Sequence, residues 1–432
     1  MQYYSLNKNA PNVSFAEAVV KGLAPDRGLY FPENITPLPA SFFEKIENLD
    51  NVEIAYQAIQ QFVGDEIPEV ELRDILADVL SFDFPVVEVT ENIGTLELFH
   101  GPTMAFKDVG ARFMARCLEY FNRDNDNHVT VLVATSGDTG GAVANGFLGV
   151  KGVDVVILYP NGAVSDIQER QLTTLGQNIT ALRVDGVFDD CQEMVKTAFL
   201  DTSITDQQQL TSANSINVAR WLPQLFYFLF AYKQTKNKKK DLVFSVPSGN
   251  FGNICAGIVA HKLGMPIAHF VASVNLNDTV VRYLETGSYD PKPSKATISN
   301  AMDVGNPSNF IRIQELFEQN FSALKNDFSS YSFDDATTRD AMKEVFSASQ
   351  YVCDPHGAVG YLGLEKHSLQ ENQYGIFLET AHPVKFLDVV EDTLPIKVGI
   401  PEQIQKVLDK EKVFISIDKY EDLKNYLLER NS

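Results

Sequence analysis

DLVFSVPSGNFGN, residues 241–253, runs an apolar strand into a glycine-bearing turn and then into a helix that closes at Gly264. The unit recurs upstream as VTVLVATSGDTGG (129–141), followed by a helix to Phe147. Between the two, VDVVIL (153–158) and NITALRV (178–184) alternate with helical stretches at 165–175 and 189–200, the first opened by a capping box of Ser165 and Gln168. TLELF (95–99) precedes an amphipathic helix at 106–121, and IAHFVASV (267–274) follows the quoted unit. Continuous apolar strands that alternate with helices predict parallel sheet covered on both faces. The fold class is therefore α/β, doubly wound, in two such lobes.

The first ninety residues read differently. APDRGLYFPENITPLP (24–39) carries four prolines, and helical stretches at 40–62 and 70–80 lead to the strand-like FPVVEV. This predicts a smaller N-terminal domain over 1–88 ahead of a larger domain over 89–432. The length of 432 residues supports more than one compact core.

Composition narrows the function. Lys and Arg number 36 against 57 Asp and Glu, a net charge of −21, which argues against a nucleic-acid or anionic-membrane surface. The most apolar run, LFYFLFA (225–231), is far shorter than the roughly 20 residues a membrane helix needs. The N-terminus lacks the basic and apolar regions of a secretory signal. Four scattered cysteines form no C-x-x-C pair, so neither a disulfide framework nor a metal site is expected, and a cytoplasmic setting fits.

Ligands of open α/β sheets bind beyond the carboxyl ends of the strands, and three unusual segments fall there. SGNFGN (248–253) has two glycines that can turn backbone amides toward an anion at a helix start. It matches neither GxGxxG nor GxxxxGK[ST], which disfavours a dinucleotide fingerprint and a P-loop. A tight strand-to-helix turn explains it as well. TSGDTGG (135–141) offers hydroxyls beside amides at a second helix start, suited to a carboxylate or phosphate, although simple capping explains it too. HGPTMAFKD (100–108) places Lys107 on the first turn of a helix, where the dipole disfavours a cation and assists its deprotonation. A surface lysine beside Asp108 is the plain alternative. Together the three point to a lysine Schiff base, a phosphate cradle and a carboxylate cradle, which is what pyridoxal phosphate with an amino-acid substrate requires.

Over nearly its whole length the chain resembles the threonine synthase family, pyridoxal-phosphate enzymes of the tryptophan-synthase-β-like fold, in the form with an extra N-terminal domain. The resemblance rests on SFAEAVVKGLAPDRGLYFP, FHGPTMAFKD, TSGDTGG, VPSGNFGN, NAMDVGNPSNF, CDPHGAVGYLG and ETAHPVKFLD. It implies pyridoxal 5'-phosphate as cofactor and conversion of O-phospho-L-homoserine and water to L-threonine and phosphate, by γ-elimination and β-addition of water. It makes Lys107 the lysine that holds the cofactor and shuttles protons. It assigns Gly249, Asn250, Phe251, Gly252 and Asn253 to the cofactor's phosphate, and Thr380 to the pyridine nitrogen. Thr135, Ser136 and Thr139 match the loop for the substrate's carboxylate; Asp138 stands where many relatives of the fold carry Asn. For the substrate's phosphate we expect Asn306, Ser308 and Asn309, with charge from Arg112 or Arg312. No obligate protein partner is implied, and a monomer is expected. A serine/threonine dehydratase-type lyase is the near alternative, and a nucleotide-binding module without chemistry the distant one.

Overall fold

The computed structural model describes residues 1–123 and 128–430. Two compact units divide the chain. Phe31–Phe106 and Trp221–Gly399, with Met1, form one; Gln2–Tyr30, Lys107–Arg220 and Ile400–Ser432 form the other.

The first unit is built on a six-stranded sheet. Its spatial order is Phe328–Ser332, His269–Val274, Asp241–Pro247, Gln373–Glu379, Ile93–Glu97 and Val86–Thr90. All neighbours pair in parallel except the last two, which form an antiparallel edge. Asp241–Pro247 is buried from Leu242 onward, as a central strand covered on both faces must be. The apolar run at 225–231 lies in the helix Leu225–Thr235 and is buried throughout. Burying each such side chain contributes on the order of 1.5–3 kcal/mol.

The second unit carries a five-stranded, wholly parallel sheet: Gln209–Ser212, Val129–Ala134, Val153–Pro160, Ile179–Val184 and Ile415–Ile417. Its last strand comes from the C-terminal segment, and Leu423 and Leu427 of the following helix join the core beneath it. The Ser165–Gln168 capping box forms as expected at the helix Asp166–Thr173. A second one, Ser14 with Glu17, opens the helix Phe15–Lys21, whose Phe15 meets Phe121 edge-on at 6.1 Å.

The expected helical stretch at 40–62 is two helices, Ala40–Lys45 and Asn51–Val63. Asp50 separates them because its carboxylate accepts the Glu53 amide at 2.8 Å, a cap that an interior position cannot offer. Glu88, the expected domain boundary, falls inside the strand Val86–Thr90 of the six-stranded sheet. Residues 1–88 are shared between the two units, with the division at Tyr30 and Phe31.

Candidate functional site

In the first unit the turn after Asp241–Pro247 is braced from within. Ser248 donates its amide to the Ser273 carbonyl at 2.9 Å, and the Asn253 side-chain amide donates to the Pro247 carbonyl at 2.8 Å. Phe251 adopts left-handed backbone (φ +61°), an unfavourable state for a bulky residue, and its buried ring packs edge-on against Phe310 at 5.9 Å. That conformation starts the helix Gly252–Lys262, whose N-cap residue Phe251 offers no capping side chain, while Asn253 Oδ1 accepts the Ile254 amide at 2.9 Å. A helix start whose N-cap residue offers no side-chain acceptor, beside a glycine turn, is a donor set suited to a phosphate, so these residues fit the phosphate group of the expected cofactor. Gly249 is required by close approach: a Cβ there would stand 2.7 Å from Met302 Cα and 3.1 Å from the Ala301 carbonyl oxygen.

The 300–309 loop is locked to this turn. The Ser308 amide donates to Asn250 Oδ1 at 2.5 Å, and the Asn309 amide to the Asn250 carbonyl at 3.3 Å. Two of the residues expected to hold the substrate's phosphate spend their side-chain oxygens on protein partners. Asn306 Oδ1 accepts from the Tyr289 hydroxyl at 3.0 Å, and Asn309 Oδ1 from Arg312 Nη1 at 2.7 Å. Arg312 itself is 0% exposed, with its guanidinium 4.2 Å over the Trp221 ring. A guanidinium stacked on an indole in this way gains from cation–π contact and planar packing. Ser308 remains exposed.

Thr380 follows the strand Gln373–Glu379 and is held through its backbone. Its carbonyl accepts the Phe106 amide at 2.8 Å, while the Leu98 amide reaches the Glu379 carbonyl at 3.0 Å and the His382 amide the Met104 carbonyl at 3.1 Å. The Tyr227 hydroxyl bonds the Phe106 carbonyl, and buried Lys385 donates to the Thr103 carbonyl at 3.1 Å. The segment leading to Lys107 is thus stitched to the segment carrying Thr380.

In the second unit Lys107 is the first residue of the helix Lys107–Asn122, half-buried, with half-buried Arg112 further along it. The TSGDTGG turn opens the helix Asp138–Phe147. Thr135 Oγ1 accepts the amides of Gly137 and Gly140 at 3.0 and 2.9 Å, so its hydroxyl shapes the turn while Ser136 and Thr139 are half-buried. Gly137 has φ +138°, a conformation reserved for glycine, and a Cβ there would meet Gln168 at 2.5 Å. Gln168 in turn donates to Asp138 Oδ1 at 3.0 Å.

Several buried or half-buried polar residues around these segments have no chemical role assigned from the sequence. Asp303, in the middle of NAMDVGNPSNF, accepts from the Thr297 amide at 3.0 Å and from Asn275 Nδ2 and Thr297 Oγ1 at 2.8 Å each. Burial pushes its carboxyl up to about 6 against these hydrogen bonds. Asp354, His356 and Glu379 form a second buried group, and only their motifs, CDPHGAVG and ETAHP, could have marked them.

His382 gives a pH-dependent test. Its Nδ1 accepts the Val384 amide at 3.0 Å, and burial, the largest influence, moves its pKa down to about 4. The stability it contributes is therefore complete above the unfolded value of about 6.5 and is lost as pH falls toward 4. His382→Gln keeps an acceptor without titrating. Its stability relative to the parent should rise by about 2–3 kcal/mol between pH 7 and pH 4.5, at ~1.4 kcal/mol per unit. Urea unfolding at both pH values checks this; a constant difference would show that His382 is charged in the fold.

Among the described residues no cluster of His, Cys, Asp and Glu could hold a metal ion, and no helix is long and apolar enough to cross a membrane. Three family models match the chain: threonine synthase N terminus over residues 2–79, pyridoxal-phosphate dependent enzyme over 95–378, and threonine synthase, C-terminal, over 357–427. Threonine synthase of Haemophilus influenzae is 45% identical, with 94% of each chain covered. The crystal structure of the Escherichia coli threonine synthase superposes with a TM-score of 0.94 at 41% identity over 100% of both chains. That of pyridoxal-phosphate-bound threonine synthase from Brucella melitensis gives 0.93 at 33% identity, covering 100% of this chain and 99% of that one. Matches that run from end to end, and that include the segments before and after the cofactor-binding core, leave one assignment: the chain belongs to the threonine synthase family of pyridoxal-phosphate-dependent enzymes.

Proposed function

We propose that this protein is a threonine synthase that converts O-phospho-L-homoserine and water to L-threonine and phosphate. The observation that carries the reading is the full-length likeness to threonine synthases at both the sequence and the fold level, N- and C-terminal segments included. Pyridoxal phosphate, when bound, would supply the electron sink for removal of protons from the carbon skeleton of the amino-acid substrate. The protein supplies the rest. Lys107 Nζ, on the first turn of its helix, would hold the cofactor and carry protons at the substrate's carbons. Amides of Gly249–Asn253 bind the cofactor's phosphate, and the Thr380 hydroxyl sets the polarity at the pyridine nitrogen. The Thr135–Thr139 turn orients the substrate's carboxylate.

For the substrate's phosphate the neutral donor we keep is Ser308, since the side-chain oxygens of Asn306 and Asn309 are engaged, and the charge we assign to half-buried Arg112 rather than to Arg312, which is fully buried against Trp221. Arg112→Ala should raise KM for phosphohomoserine about ten- to a hundredfold, from ~1.5–3 kcal/mol per charge-assisted bond. Binding of unphosphorylated serine should barely change. If both ligands weaken alike, Arg112 does not read the phosphate. Four buried thiols, all unpaired with one another, support a reducing, cytoplasmic setting.

The deciding experiment follows phosphate and threonine released from phosphohomoserine by the cofactor-loaded protein. Stoichiometric release of both is expected. Formation of a 2-oxo acid and ammonia from threonine, without phosphate release from phosphohomoserine, would establish a dehydratase instead.

A further inference from the structure

The buried group formed by Asp354, His356 and Glu379 lies between two parts of the proposed cofactor site in the first unit. His356 is 2% exposed, and its ring packs against Phe386 at 4.8 Å. Its Nε2 accepts the backbone amide of Ala301 at 3.2 Å, and its Nδ1 lies 3.2 Å from Asp354 Oδ2. A backbone N–H can only donate, so Nε2 is the accepting nitrogen of the ring and Nδ1 is the one that faces Asp354. Asp354 is fixed as well: its Oδ1 accepts the Gly357 amide at 2.7 Å, capping the helix Pro355–His367, and its own amide donates to Glu379 Oε1 at 2.5 Å. Glu379 is the residue before Thr380.

Ala301 begins the contact that confines the phosphate turn, since the Ala301 carbonyl and Met302 Cα stand where a Cβ of residue 249 would be. The amide that His356 accepts belongs to that same Ala301. We infer that His356 is a positioning residue for the cofactor: by accepting the Ala301 amide it seats the 300–302 turn against Gly249 and so sets the shape of the phosphate cradle. This rests on the threonine synthase reading, through the role of the SGNFGN turn. Burial keeps Glu379 well above the ordinary carboxylate range, with the charge of Asp354 adding to the effect.

The test compares His356→Gln with His356→Asn in the cofactor-loaded protein. Gln extends a carbonyl oxygen toward the place of Nε2 and can accept from Ala301; Asn reaches only the place of Nδ1 and leaves that amide without its acceptor. Cofactor loss on dilution should be about tenfold faster in the Asn variant, and within about threefold of the parent in the Gln variant. The phosphorus NMR signal of the bound cofactor should move in the Asn variant only. Equal loss rates in the two variants, rates like the parent's in both, or failure of both to fold would overturn the inference. The parent protein separates this from the wider reading. If the parent neither retains pyridoxal phosphate nor releases phosphate from phosphohomoserine, the threonine synthase reading fails; if it does both while the variants match each other, only the role of His356 fails.

Discussion

Lys107→Ala should abolish turnover, by at least about 10³-fold, while leaving the fold intact. General acid–base transfer alone is worth about 10²–10⁴-fold, and here the same amine also holds the cofactor. Lys107 is half-buried at the start of a sixteen-residue helix whose core face is made by Val109, Phe113, Met114 and Leu118, so truncating it removes little packing. The check is twofold. Borohydride reduction and peptide mapping of the parent should place the cofactor on Lys107, and the variant should show unchanged thermal unfolding without cofactor. A variant that still traps the cofactor covalently would move the attachment to another lysine.

Gly249→Ala should be the most damaging small substitution in the cofactor loop. The added methyl would stand 2.7 Å from Met302 Cα, and backbone cannot swing aside as a long side chain can. Overpacking of this kind costs about 1–3 kcal/mol, and it would fall on the turn that presents amides to the phosphate. Cofactor affinity should drop roughly ten- to a hundredfold, at ~1.4 kcal/mol per factor of ten. Equilibrium titration with pyridoxal phosphate measures it; unchanged affinity would mean that the loop contributes no shape to the site. The sequence offers no way to rank Gly249 against Gly252, because close approach of residues 53 positions apart has no local signature.

Much was nevertheless local and therefore legible. Runs such as VTVLVA and DLVFSVP are apolar without alternation, which requires a strand covered on both faces, and each is followed within a few residues by its helix. The Ser165–Gln168 box and the helix start at Lys107 follow from neighbouring residues alone. The three segments proposed to carry the chemistry were identifiable for the same reason: glycine turns and a lysine at helix starts are short-range patterns.

What the tertiary structure alone decided is which partner each polar group meets. The sequence presents Arg312, Asn306 and Asn309 as plausible phosphate donors, yet Trp221 and Tyr289 claim two of them and Asn309 binds Arg312. Nothing in local composition distinguishes an arginine that faces a ligand from one stacked on an indole 91 residues away in the chain. Likewise the last strand of the second sheet, Ile415–Ile417, is short and half exposed, and becomes a strand only because the edge of Ile179–Val184 offers it hydrogen bonds. His356 and Glu379 become meaningful only when the fold brings Ala301 and Asp354 to them. Periodicity, capping and turn chemistry act over a few residues and are written in the chain, whereas the pairing of buried polar groups is set by which segments the packed core forces together.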